Sequence, residues 1–196
     1  DNLGNYPDSA DIYGRTDIFS FPKGTRAGIF FHDIFEHLDF RSTDPQYQEK
    51  LVTKKLEEYR FDLKWNETVC KMLKNVLGVP LPGSGKDILL SSVSDHSRIN
   101  ETEFYFPLKP VTPQTLKHIF TDYGGISISQ DFPERLEKLS ISTSAGYMKG
   151  YVDMILHHNG RFFLVDWKSN YLGSCIEDYR QGSLDASMQA DFYILQ

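Results

Sequence analysis

Two short segments constrain this chain most: Gly150-Tyr151-Val152-Asp153 and, twelve residues after Asp153, Val165-Asp166-Trp167-Lys168. Between them lies Asn159-Gly160, flanked by alternating apolar residues, which is the strongest short signal for a β-hairpin. Side chains alternate across a strand, so Asp166 and Lys168 share a face. With Asp153 on the same face of the partner strand, two carboxylates and one ammonium meet at one spot. That is a metal site with a positive charge beside it, which suits hydrolysis of a phosphodiester.

The residues around these acids sharpen the reading. Asp166 and Lys168 sit among Leu164, Val165 and Trp167. Charged groups in an apolar strand carry a desolvation cost unless they are paired or bind a metal. Mg²⁺, with Mn²⁺ as the alternative, takes oxygen ligands and keeps several waters, so two carboxylates and a main-chain carbonyl beside Asp166 suit it. Such an ion lowers the pKa of water and offsets charge on phosphate. Lys168 can position that water or stabilise the pentavalent transition state electrostatically. The bland alternative is a hairpin with ordinary surface acids.

Length and composition set the frame. The 196 residues are 40% hydrophobic and 24% charged, enough for one globular domain with a sizeable core over 1–196. Residues 1–22, with Pro7, Gly14 and Pro22, read as an irregular lead-in. The chain opens on Asp and stops in an apolar periodic run, so a domain of something longer is expected. No window approaches the roughly 20 apolar residues of a membrane span, and no signal segment opens the chain. Cys70 and Cys175 are few and far apart, which argues for reduced thiols in a cytoplasmic setting. The net charge of −6 lacks the basic footprint of a tight nucleic-acid binder. A bound cation or a neighbouring domain would have to offset it.

Helical periodicity begins at Thr25, with Ile29, Phe30, Ile34 and Leu38 recurring. Gly28, His32 and Glu36 lie at steps of four and share a face. A second helix is expected over Tyr47 to Tyr59. Asp62 caps a third, which carries Trp65, Val69, Met72, Leu73, Val76 and Leu77 and stops at Gly78 and Pro80. A short strand is expected at 88–90, and another at Glu103 to Phe106. A short helix is expected over Thr112 to Phe120, with Pro113 at its start. The strand pair spans 146–157 and 161–168, and a helix runs from Asp185 to the end.

Other motifs carry less. Imidazole can ligate a divalent metal, but His32 with Glu36 one turn on is, taken alone, better read as a buried helix histidine bonded to a carboxylate. The run His32 to His37 has neither zinc-protease spacing. Pro82 to Asp87 lacks the first glycine and the hydroxyl of a phosphate-binding loop, and reads as a surface loop. Glu103 is either an acid supporting the site or an edge residue. Gln189 and Tyr193, one helical turn apart, can each donate to a phosphate or water, but taken alone they are better read as surface or capping residues.

Taken in order, these segments resemble the RecB-type C-terminal nuclease domain (exodeoxyribonuclease V beta subunit) of the PD-(D/E)XK nuclease superfamily. The resemblance is carried by Phe21-Pro22-Lys23-Gly24 through Gly28 to Glu36, Phe61-Asp62 with Trp65, and Glu103 to Leu108. It continues through Gly150 to Asp153, Val165 to Gly173, and Gln189 with Tyr193. It implies an α/β restriction-endonuclease-like core, a small mixed sheet flanked by helices. His32, Asp153 and Asp166 would ligate the metal, and Asp153, Asp166 and Lys168 would be catalytic. Gln189 and Tyr193 would line the DNA side. Trp167, where the family often has Tyr, should point away from Lys168.

The implied function is Mg²⁺-dependent DNA hydrolysis in a RecBCD-type repair exonuclease. The implied partners are single-stranded DNA from a duplex end and RecC- and RecD-like subunits. ATP would be used only in a helicase part that this chain does not contain. The rival is a catalytically silent, nuclease-like DNA-binding scaffold, which would have no reason to keep Asp153, Asp166 and Lys168 together. An iron–sulfur nuclease of the Cas4 or AddB kind needs four thiolates, and two cysteines do not supply them.

Overall fold

A computed structural model describes residues 16–81, 88–108, 110–123, 128–139 and 146–195. The expected loop at Pro82 to Asp87 and most of the lead-in lie outside them. The described chain is α/β. Its helices are α1 (Thr25–His37), α2 (Pro45–Glu58), α3 (Asn66–Gly78), α4 (Pro113–Tyr123), α5 (Phe132–Glu137) and α6 (Gln181–Ala190). Its strands, β1 (Arg98–Leu108), β2 (Gly146–His158) and β3 (Arg161–Val165), form one sheet in the order β1-β2-β3. This is the expected small sheet with helices. No helix among the described residues is long and apolar enough to cross a membrane.

The chain divides into two compact units, Asp1–Thr102 with Val152–Tyr171, and Glu103–Tyr151 with Leu172–Gln196. The first holds α1, α2, α3, β3 and the adjoining parts of β1 and β2. Helix α1 buries Ala27, Phe30 and Ile34 at helical spacing, α2 buries Val52 and Leu56, and α3 buries Val69, Leu73 and Leu77. Phe21 joins them, its ring 5.4 Å from Phe30, 5.0 Å from Phe61 and 5.3 Å from Trp65. Asp44 caps α2 by accepting from Gln46 N, with Pro45 in the first turn. Asp62 caps a single 3₁₀ turn, Leu63–Trp65, that leads into α3.

The β2–β3 hairpin is antiparallel, with His158 opposite Arg161 and Met154 opposite Val165. Asn159 and Gly160 have φ of +49° and +75°. Positive φ at both central residues is what a two-residue type I′ turn requires. The register puts Met154 and Leu156 opposite Val165 and Phe163, and this face packs into the core. The other parity carries Asp153, Ile155 and His157 on β2, with Phe162 and Leu164 on β3.

The second unit is organised around α4, α5 and α6. Phe132 and Leu136 are buried, and the Phe132 ring meets Phe120 at 5.4 Å and Phe192 at 5.8 Å.

Several boundaries differ from the sequence expectation: β1 starts at Arg98 and not at Glu103, and α4 runs to Tyr123 and not only to Phe120. The final helix begins at Gln181 and stops at Ala190, where Arg135 Nη2 donates to the carbonyls of Gln189 and Ala190 and Phe192 takes φ +56°. Tyr193–Leu195 is a separate 3₁₀ turn, so Gln189 and Tyr193 do not share one continuous helix. The expected strand at 88–90 is a lone bridge from Leu89 to Pro80, because Leu90 already starts a 3₁₀ turn. Strand β3 ends at Val165, not at residue 168, because the next amide inward, Trp167 N, donates to the Asp153 carboxylate.

Candidate metal centre

The hairpin register brings the two acids to the same end of the ladder. Its last pair is Met154 with Val165, and Asp153 and Asp166 are one step beyond. Asp153 is held from behind: its Oδ2 accepts from Trp167 N at 2.6 Å. Trp167 lies on the core parity and stacks on Phe35 of α1, with centroids 4.3 Å apart and 16° between planes. Its ring thus leaves the Asp166 and Lys168 side, as expected. Asp166 Oδ2 accepts from Lys168 Nζ at 2.5 Å.

Helix α1 supplies the nitrogen. His32 Nδ1 lies 3.5 Å from Asp153 Oδ1, with the imidazole 31% and the carboxylate side chain 12% exposed. Gly28, one turn before His32, faces Ser169, and a β-carbon there would sit 3.2 Å from the Ser169 hydroxyl. The glycine lets α1 approach the segment that follows Lys168.

A third ligand atom comes from Glu101. One donor atom each from His32, Glu101 and Asp153 lie within 4.8 Å of one another. The start of β1 is fastened to the end of α1 by two side chains. Arg98 Nη2 donates to Leu38 O at 2.5 Å while its guanidinium covers the Phe40 ring, and Asn100 Nδ2 donates to Glu36 O at 2.6 Å. Glu101 itself has φ +49°, a left-handed conformation rare for a residue of this kind.

The electrostatics fit a cation. Burial pushes the Glu101 carboxyl up from its ordinary pKa, and the charges of Asp153 and Glu36 push it further, with His32 pulling the other way. Carboxylates that repel one another are relieved by a divalent ion between them. One imidazole and two carboxylates are donors that Mn²⁺ accepts readily and Mg²⁺ through its preference for oxygen.

A second group on α1, Asp33, Glu36 and His37, also places three donor atoms close together. There Asp33 is already occupied, with Lys55 Nζ at 2.8 and 2.7 Å from its two oxygens and His37 Nδ1 at 3.0 Å. It is an ion-pair network that ties α1 to α2.

No family model matches the chain. Over 178 residues, 90% of its length, it is 33% identical to the RecB subunit of the RecBCD enzyme of Escherichia coli K12. The chain is homologous to RecB. It is 28% identical over 180 residues to RecB of Buchnera aphidicola from Acyrthosiphon pisum, and 26% over 183 residues to that of Haemophilus influenzae. It spans about 14% of the length of these curated relatives. The match to E. coli RecB takes in residues of both compact units, since neither alone reaches 90% of the chain.

The residues singled out in the sequence fall into three sets. His32 and Asp153 come together. Asp166 and Lys168 pair with each other, and Asp166 is not in the group with His32, Glu101 and Asp153. Gln189 and Tyr193 belong to the second unit. There Gln189 is 8% exposed, its Oε1 accepting from Ser129 N at 2.7 Å and its Nε2 donating to Asp185 O at 3.2 Å.

Glu101 is absent from the residues that the sequence marks. The acid that the sequence offers there, Glu103, has its carboxylate engaged by Tyr151 and Lys149 in the second unit. Nothing local marks Glu101, because its role depends on a backbone turn that glutamate does not favour.

Proposed function

We propose that this chain is a divalent-metal-dependent nuclease module of a RecB-type protein, hydrolysing phosphodiester bonds of DNA. The observation that supports it is the grouping of His32, Glu101 and Asp153 donor atoms within 4.8 Å, at the end of the hairpin that also presents Asp166 and Lys168. His32, Asp153 and Asp166 would hold Mg²⁺ or Mn²⁺, with Glu101 as an added carboxylate. The bound ion supplies Lewis acidity toward the phosphate and lowers the pKa of water.

The protein's own groups do the rest. Trp167 N fixes one oxygen of Asp153, so the carboxylate does not swing. Asp166 holds the Lys168 ammonium beside the acids, where it donates to a phosphate oxygen as negative charge develops. The side chains of His32 and Asp153 are partly open, so a strand can reach them. The relatives' name sets the wider reading: the chain would act with RecC- and RecD-like subunits on DNA ends.

The test is cleavage of single- and double-stranded DNA by the chain, with Mg²⁺ or Mn²⁺, beside D166A. Cleavage by the wild type and its loss, by a hundredfold or more, in a folded D166A is the expected result. Equal cleavage by both would remove Asp166 from the site. Absence of cleavage together with absence of metal uptake by calorimetry would favour a silent scaffold.

A further inference from the structure

The second unit contains residues 103–108 of β1 and 146–151 of β2. On this stretch of sheet, aromatic rings stand in the open. Tyr105 and Tyr147 are each 63% exposed and Tyr151 56%. Large rings at such exposure, grouped together, mark a surface that binds something. Tyr147, Lys149 and Tyr151 alternate along β2 and share one side, and Glu103 and Tyr105 share a parity on β1.

The group is ordered before anything binds. The rings of Tyr105 and Tyr147 lie parallel, with centroids 4.7 Å apart and 7° between planes. Glu103 fixes the neighbours: it accepts from the Tyr151 hydroxyl at 2.8 Å and faces Lys149 Nζ at 3.0 Å. Lys149 is half exposed, and an ammonium has three donors, so it can still meet a phosphate.

The chemistry favours one occupant. Flat rings with polar edges and a cation beside them match a nucleobase face and its phosphate. An aliphatic protein surface would find little to interdigitate with. Duplex DNA has its base faces already stacked, so the fitting ligand is a strand with free faces. Stacking also suits a chain with 21 basic and 27 acidic residues, which has few cations to spare for a phosphate track.

The geometry points to Tyr105, Tyr147, Tyr151 and Lys149 as a stacking platform for unpaired bases of single-stranded DNA. The choice of DNA rests on the nuclease reading above; the platform itself does not depend on cleavage.

The test measures binding of fluorescein-labelled oligothymidylate by anisotropy in EDTA, where the metal plays no part, with Y105L, Y147L, Y105F and Y147F. Each leucine variant should weaken binding by roughly tenfold and each phenylalanine variant should retain it, since the ring and not the hydroxyl does the stacking. Circular dichroism checks that the variants fold. Leucine variants that bind like the wild type would overturn the proposal. So would equal loss in the phenylalanine variants, or a wild type that does not bind, as when the rings face a protein neighbour. A duplex competitor should be weaker and insensitive to the leucine changes, and equal sensitivity would overturn the single-strand assignment. Cleavage of the same oligonucleotide in Mg²⁺ is scored separately. Ring-dependent binding without cleavage defeats the nuclease reading alone, and cleavage with ring-independent binding defeats the platform alone.

Discussion

Burying an ammonium costs several kcal/mol unless its donors are met. Lys55, with 8% of its side chain exposed, meets them with both oxygens of Asp33 and with Glu58 Oε2 at 3.3 Å. Burial acts to raise the Asp33 pKa, yet hydrogen bonds from Lys55 and Tyr59 bring it below the ordinary value. Burial likewise acts to lower that of Lys55, and Asp33 and Glu58 raise it. Asp33 is the neighbour of His32, so this pair sets the rotation of α1 that aims the imidazole. Lys55→Met leaves Asp33 without its main partner and should lower stability by about 3 kcal/mol. Adding Asp33→Asn should recover most of that loss, and a urea titration of both variants checks it. A loss below about 0.5 kcal/mol for Lys55→Met would place the pair among weak surface bridges.

This pair also marks a limit of reading residues from sequence. Lys55 looks like one more lysine on the wet side of α2, and its partner is 22 positions away. Asp153 was legible because strand alternation and an Asn-Gly turn are local. Glu101 was not, because its place depends on a positive φ and on Arg98 and Asn100 reaching back to α1.

At the scale of elements, Gly150 shows why β2 carries a glycine inside a strand. A β-carbon at Gly150 would lie 2.4 Å from Phe104 Cζ, so the ring occupies the space that a side chain would need. Phe104 in turn stacks on Phe106, with centroids 5.7 Å apart. Gly150→Ala should therefore cost about 1–3 kcal/mol through displacement of that ring. Gly146→Ala, four residues earlier on the same strand and with open space around its β-carbon, is the control and should change stability little. Thermal melts of the two variants separate the cases, and equal shifts would mean that Phe104 moves freely. The first three helices and the hairpin were legible from spacing and capping. Helix α5 and the break after α6 were not. The break depends on Arg135 drawing off two carbonyls across more than fifty residues, which no local pattern records.

For the whole molecule, the two compact units differ in what holds them. Nineteen of the buried apolar residues form one cluster, all from the first unit, from Phe21 to Leu156. In the second unit the buried apolar residues among those described are Phe132 and Leu136. Local opening free energy follows buried apolar contact. Amides of α4, α5 and α6 should therefore exchange faster than those at the centres of α1, α2 and α3. A divalent ion adds a second contrast. If His32, Glu101, Asp153 and Asp166 hold it, binding stabilises only conformations in which α1 and the hairpin are formed. At a hundred times Kd the gain is about 2.7 kcal/mol, or roughly a hundredfold in exchange for openings that break the site. Mn²⁺ should thus slow exchange in α1, the start of β1 and the β2–β3 hairpin, and leave α4 and α5 nearly unchanged. Asp153→Asn should abolish the effect. Protection spread evenly over both units would instead mean that the ion acts away from these ligands, since a weak nonspecific ion has no reason to favour α1.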